Sequence, residues 1–374
     1  MSKNILCIVG TRPEAIKMAP VISTLKLVDW CAVRVIATAQ HRDMLDQSLG
    51  VFGIEPDIDL NLMAPNQSLA DLTIRALAGL DRILATEAPS AVLAQGDTTT
   101  VLATALACFY RRVPFCHVEA GLRTFDMSNP FPEEFNRVTA GQTAALHFAP
   151  TEAARQNLLK ERIPAERILV TGNTVIDALL SIADGAPVFP YAAVSGRRLV
   201  LVTLHRRENF GEPLQRILSA ILRLASENSD VEVVLPVHPN PNVKEAVHRI
   251  LGRHERITLI SPLDYLGFVS AMKAADIILS DSGGVQEEAP ALGKPILVLR
   301  DTTERPEAIA AGVARLVGSD PERIVGEAQA LLRDPRHYRS MAKGGSPYGD
   351  GRAAGRIADA LFNLVMSGPA DCNV

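Results

Sequence analysis

The chain has 374 residues, a net charge of −4, and 47% hydrophobic against 21% charged residues. That length exceeds one ordinary core and points to two domains, with a globular balance of residue types. No long basic run is present, which argues against a nucleic acid or a membrane surface as the main partner, and no apolar run reaches transmembrane length.

Residues 5–9 form the first apolar run, too short for a signal peptide and without a cleavage pattern, so a cytoplasmic protein is expected. The five cysteines (Cys7, Cys31, Cys108, Cys116, Cys372) are dispersed and odd in number. They read as reduced thiols, several of them small core residues. Neither the Cys nor the His spacing suggests a metal site.

Short β-like runs alternate with helical patterns. Residues 4–9 predict a strand, followed by Gly10-Thr11-Arg12-Pro13-Glu14 and a helix through Ile16, Val21, Ile22 and Leu25. Pro13 suits a first helical position and Glu14 a first turn. A second strand is predicted at 33–37, and Leu69, Leu72, Ala76, Leu80 and Ile83 mark a long helix with one buried face. The strand at 91–94 stops at Gln95-Gly96-Asp97-Thr98, and the strand at 115–118 stops at Glu119-Ala120-Gly121. A polar loop over 124–132 leads into a helix from Glu133, and 168–171 predict the last strand of this half.

Residues 184–198, with Gly185, Pro187, Pro190 and Gly196, read as a linker. The first domain is then 1–183 and the second 199–352. Strands are predicted in the second at 199–203, 231–235, 257–260, 277–280, 296–299 and 314–317. A last helix, about 353–366 and within a tail to 374, is expected to pack back on the first domain. The fold class is α/β, two Rossmann-like domains with parallel sheets.

In open α/β sheets ligands bind off the carboxyl ends of strands. The groups there are Arg12, Lys17, Asp97 and Glu119 in the first half, and His205, His238 and Ser282-Gly283-Gly284 in the second. Two sheets facing each other would put them in one cleft. A strand running through Ser-Gly-Gly into a helix leaves bare N–H groups that favour a phosphate, but an ordinary strand–helix turn explains it equally well. Asp97 reads most simply as a helix N-cap, Glu133 as a first-turn acid, His205 as a hydrogen-bonded loop residue and Arg305 as a surface ion pair. Arg206 and Arg207 are adjacent, so both need not face one site. Glu119, between Val118 and Ala120, is costly unless paired or functional. His117, two residues deeper in the same strand, is given a structural role.

These stretches resemble the non-hydrolysing UDP-N-acetylglucosamine 2-epimerases nearly throughout. The resemblance is carried by Gly10-Thr11-Arg12-Pro13-Glu14-Ala15-Ile16-Lys17, Gln95-Gly96-Asp97-Thr98-Thr99-Thr100, His117-Val118-Glu119-Ala120-Gly121-Leu122-Arg123 and Pro130-Phe131-Pro132-Glu133-Glu134. It continues in His205-Arg206-Arg207-Glu208-Asn209-Phe210-Gly211, Asp281-Ser282-Gly283-Gly284, Arg300-Asp301-Thr302-Thr303-Glu304-Arg305-Pro306-Glu307 and Pro347-Tyr348-Gly349-Asp350-Gly351. It implies the GT-B arrangement with the active site in the interdomain cleft, and reversible C2 epimerisation of UDP-GlcNAc to UDP-ManNAc through UDP elimination to a 2-acetamidoglucal. It further implies a homodimer, no cofactor, and a product that feeds surface polysaccharide.

By motif position the resemblance makes Lys17, Asp97, Glu119, Glu133 and His205 catalytic. It makes Arg12, Phe268, Ser282, Gly283, Gly284, Glu288 and Arg305 the UDP contacts. Some members carry an activating second UDP-GlcNAc site. Asp43, within Gln40-His41-Arg42-Asp43, and Asn66 depart from that pattern, which implies weak or differently built activation. The alternatives are a 2-epimerase of a related UDP-sugar and a GT-B glycosyltransferase, which would need an acceptor but not acids at both C2 faces.

Overall fold

In a computed structural model, residues 2–38, 42–64, 67–191 and 196–367 are described. Gln40, His41, Asn66 and Cys372 lie outside them, as does the side chain of Asp43, so the expected difference at the activating site falls outside the described residues. The chain divides into two compact units, Met1–Ala178 with Tyr348–Val374, and Leu179–Pro347.

The first unit runs through β1 (Lys3–Val9), α1 (Arg12–Lys26), β2 (Cys31–Ala37), α2 (Arg42–Val51), β3 (Ile58–Asp59), α3 (Leu69–Glu87), β4 (Ala91–Gln95) and α4 (Thr99–Arg111). It continues with β5 (Phe115–Val118), α5 (Glu133–Thr143), β6 (Leu146–Ala149), α6 (Glu152–Lys160), β7 (Ile168–Val170) and α7 (Thr174–Ala183), which runs past the division. The second unit holds β8 (Arg198–Thr203), α8 (Glu212–Glu227), β9 (Val231–Pro236), α9 (Pro241–Leu251), β10 (Ile257–Ile260), α10 (Tyr265–Ala274) and β11 (Ile277–Ser280). After these come α11 (Gly283–Ala291), β12 (Ile296–Val298), α12 (Pro306–Ala310), β13 (Ala314–Leu316), α13 (Pro321–Arg333) and α14 (Pro335–Met341). The chain then returns to the first unit as α15 (Ala353–Met366), packed on α1.

Both sheets are parallel throughout. Their strand orders are β3-β2-β1-β4-β5-β6-β7 and β10-β9-β8-β11-β12-β13. The strands read from the apolar runs are all present, so the α/β class holds. β3 and β6 have no counterpart among them: β3 is two residues long, and β6, Leu146-His147-Phe148-Ala149, holds a fully buried histidine.

Continuous apolar runs arise because each strand is covered on both faces. In β1, Ile5, Cys7 and Val9 face Met18, Ile22 and Leu25 of α1 together with Ile357 and Leu361 of α15. Leu6 and Ile8 face Leu72, Leu80 and Ile83 of α3 and Val101 of α4 on the other side. Trp30 meets Phe362 edge-on with ring centroids 5.6 Å apart, and the Asp177 carboxylate accepts from the Ala354 N–H at 2.8 Å, pinning the start of α15. Cys7, Cys108 and Cys116 are buried free thiols. Among the described residues no helix is long and apolar enough to cross a membrane.

Strand order reverses between β1 and β4 in the first sheet and between β8 and β11 in the second. These are the points where crossovers leave to opposite sides and the turns at the carboxyl ends part. Backbone and side chains crowd the first of them. A Cβ on Gly10 would stand 2.4 Å from Thr100 Oγ1 and 2.5 Å from Thr38 Oγ1, two hydroxyls that bond each other at 2.9 Å. Gly10→Ala is therefore expected to cost roughly 1–3 kcal/mol of stability, read as a lower urea midpoint; an unchanged midpoint would contradict this packing.

Candidate functional site

The first unit gathers its charged groups at the carboxyl ends of β1, β4 and β5. Glu119 follows β5 with φ at +61°, a left-handed conformation rarely taken by a residue with a side chain. Its buried carboxylate accepts from Lys17 Nζ at 2.5 Å, from Asn173 Nδ2 at 3.0 Å and from Gln95 Nε2. Lys17 projects from the second turn of α1, and Asn173 follows β7. The cost foreseen for an acid between Val118 and Ala120 is thus met by one ammonium and two amides.

Asp97 follows Gly96 at the end of β4. It is not the cap of α4: Thr98 takes that position, its hydroxyl accepting from the Val101 N–H at 3.4 Å. The Asp97 carboxylate instead pairs with Arg137 of α5, while Asn136 Nδ2 donates to the Asp97 carbonyl at 2.9 Å. Burial raises the Asp97 pKa; Arg137 opposes the rise, and the charges of Glu119 and Glu133 add to it. Glu133 is the first residue of α5, half-buried, where the helix dipole favours an acid.

Glu14 joins the two turns. It accepts from the N–H groups of Gly10 at 2.6 Å and Thr11 at 2.8 Å, and from the Thr98 hydroxyl at 2.5 Å. Burial pushes its pKa up to about 7 against those hydrogen bonds. Arg12 opens α1 and is half-buried. His117 Nε2 lies 2.7 Å from the Gly96 carbonyl, and burial pushes its pKa down to about 4.

In the second unit the organising group is Asp281, fully buried after β11. It accepts from the N–H groups of His205 at 3.1 Å and Arg206 at 3.0 Å, and from Asn209 Nδ2 at 3.1 Å. His205 Nδ1 stands 3.0 Å from its Oδ1. Burial works to raise the Asp281 pKa, but the hydrogen bonds and charge of His205 outweigh it and hold the carboxyl below its usual range. His205 is therefore oriented by a buried carboxylate, with His238 beside it at 6.0 Å between ring centroids.

Ser282 is the N-cap of α11, with Gly283 and Gly284 as its first two helical residues. The Ser282 N–H is already taken by Ser280 Oγ at 3.0 Å, so the N–H groups of the first helical turn are the ones left without an intrahelical acceptor. The Arg206 guanidinium lies beside them, 3.2 Å from where a Gly283 Cβ would stand.

Glu288, on the same helix, accepts from the Tyr265 hydroxyl at 2.8 Å. Phe268, half-buried, is one turn further along α10. Arg305 does not form a surface pair: its partner Glu287 is buried and Arg305 is itself largely covered. The loop that carries it is tied to α11 by Thr303 Oγ1 to Gln286 Oε1 at 2.6 Å. Arg300 ties the same loop to the His205 loop, donating to Glu208 at 2.5 Å and Glu304 at 2.6 Å.

The structure thus joins Lys17 to Glu119 and sets Asp97 and Glu133 within each other's field in the first unit. In the second, the buried Asp281 holds the partly exposed His205 and leads directly into the start of α11. The sequence reading gave no role to Gln95, Arg137, Asn173 or Asp281. Asn173 stands at the carboxyl end of a predicted strand, so the positional rule applied elsewhere would have found it. Among the described residues no group of three His, Cys, Asp or Glu side chains is placed to hold a metal ion.

The UDP-N-acetylglucosamine 2-epimerase family model matches residues 24–362. The chain is 53% identical over 375 residues to the UDP-N-acetylglucosamine 2-epimerase of Salmonella typhimurium, covering 97% of this chain and 100% of that protein. It is 52% identical over 375 residues to that of Escherichia coli strain K12, with the same coverage. The UDP-GlcNAc 2-epimerase of Neisseria meningitidis, solved bound to UDP-GlcNAc, superposes with a TM-score of 0.89 at 46% identity, covering 96% of this chain and 100% of that one. A full-length match of this kind, on a chain with two doubly wound parallel sheets, places the protein in the UDP-N-acetylglucosamine 2-epimerase family.

Proposed function

We propose that the protein interconverts UDP-GlcNAc and UDP-ManNAc by inverting C2 of the sugar. The observation that carries this reading is the Glu119 carboxylate, buried on a left-handed backbone and bonded to Lys17. A proton on C2 is not acidic enough for direct exchange, so loss of UDP must accompany its removal. A carboxylate takes the C2 proton while the C1–O bond breaks and its electron pair leaves with UDP. The 2-acetamidoglucal then receives a proton at C2 from the other face as UDP adds back to C1.

Asp97, Glu119 and Glu133 are the candidate acid and base. The raised pKa of Asp97 brings its proton transfers nearer neutral pH. Arg12, Lys17 and His205 suit charge on the departing β-phosphate. The N-terminus of α11 with Ser282, Gly283, Gly284 and Arg305 suits the diphosphate, which must stay bound while the sugar is free. Glu288 suits a ribose hydroxyl and Phe268 the uracil. The reaction as written needs no cofactor. The family likeness also supports a homodimer and a product destined for surface polysaccharide.

The test is NMR of UDP-GlcNAc incubated with the protein in D2O. Deuterium at C2 and a UDP-ManNAc signal, without any acceptor, are expected. UDP-GlcNAc returned unlabelled would exclude the mechanism, and turnover only when an acceptor is present would favour a glycosyltransferase.

A further inference from the structure

Gly96 is held on both sides by β5. Its N–H donates to the Val118 carbonyl at 3.0 Å, and its carbonyl accepts from His117 Nε2 at 2.7 Å. A carbonyl can only accept, so the imidazole carries its proton on Nε2. The ring is buried and stacked on Phe115, with centroids 5.7 Å apart. With burial holding its pKa near 4, His117 is a neutral donor at physiological pH.

The peptide so held is an unusual one. Gly96 has φ at +86°, a conformation that glycine takes at little cost, and Asp97 is the next residue. Asn136 and Arg137 of α5 hold the carbonyl and carboxylate of Asp97. Two residues beyond His117, the same strand delivers Glu119. One imidazole therefore ties the turn carrying Asp97 to the strand carrying Glu119.

We propose that His117 is a positioning residue, whose Nε2–H bond to the Gly96 carbonyl sets where the Asp97 carboxylate stands relative to Glu119 during proton transfer at C2. The proposal rests on the epimerase reading above. A packing role alone would depend on the ring; a positioning role depends on a donor at the Nε2 place. Three variants separate them. His117→Phe keeps the ring and loses the donor. His117→Gln puts an amide N–H near the Nε2 place. His117→Asn puts one near the Nδ1 place, out of reach of Gly96.

The measurements are kcat and KM for UDP-GlcNAc, deuterium entry at C2, UDP affinity and the thermal midpoint, all on the full chain. In the Phe and Asn variants kcat is expected to fall about 10- to 100-fold, as for an ångström-scale misplacement of a reacting group. KM and UDP affinity should stay near wild type, and the Gln variant should regain most of the lost kcat. Equal kcat in the Gln and Asn variants, or a wild-type kcat in the Phe variant, would overturn the proposal while leaving an active wild type intact. An inactive wild type would instead sink the epimerase reading and this role with it.

Discussion

Glu119→Gln is expected to lower turnover by roughly 10²- to 10⁴-fold, read as the rate of deuterium entry at C2 of UDP-GlcNAc. The amide matches the carboxylate in shape and stays in place between Lys17, Gln95 and Asn173. It cannot take or give a proton as a carboxylate does, and it no longer balances the Lys17 ammonium. Asp97→Asn should cause a loss of similar size for the same reason, and it also removes a carboxylate partner of Arg137, which keeps Glu134 at 3.4 Å. With both acids in the proposed proton transfer, the double variant should lose less than the product of the single losses. Denaturation midpoints separate the chemical effect from unfolding, since stranding half of a buried ion pair also destabilises the fold. Near-normal turnover in both single variants would mean that the proton work lies elsewhere.

The largest stability effect is expected at Asp281. Four donors converge on this fully buried carboxylate: two backbone N–H groups, Asn209 and His205. Asp281→Ala leaves them facing a cavity, and a loss on the order of 3–5 kcal/mol is expected, as when one partner of a buried charged network is removed. Urea denaturation checks it; a loss well under 1 kcal/mol would show that the network is replaceable by water. The folded pKa of Asp281 lies below its unfolded value. Its ionised form therefore contributes stability that is present above about pH 4 and lost as pH falls through the lower folded value. The difference between wild type and Asp281→Asn should accordingly narrow in strong acid. UDP binding should weaken in both variants, because His205 and the start of α11 lose their common anchor.

Much of the fold is legible because a parallel strand covered on both faces must be apolar at nearly every position. Residues 5–9, 91–94 and 277–280 are such runs, and each lies in an observed strand. β6 is not among the predicted strands, and the buried neutral imidazole of His147 within it is an environment that only the packed sheet supplies. The cap of α4 escapes for a related reason. Asp97 and Thr98 are both competent caps, and the choice falls to Thr98 because Arg137 holds the Asp97 carboxylate elsewhere.

Local sequence by itself determines the turns from which the site is built. Gly10-Thr11-Arg12-Pro13-Glu14 carries its own helix start, with Glu14 accepting from Thr11 three residues before it. Gly96 permits the turn at Asp97, and Ser282-Gly283-Gly284 opens α11 with no Cβ over its first N–H groups. What only the tertiary structure decides is which side chains meet. Lys17 and Glu119 are 102 residues apart, Glu119 and Asn173 are 54 apart, and His205 and Asp281 are 76 apart. Parallel strands become neighbours through crossover helices, and the order β1-β4-β5 or β8-β11 follows from how those helices pack rather than from any short stretch of chain. The surroundings of Asp97 and Glu119 come from partners of this kind, so their electrostatics emerge only on folding.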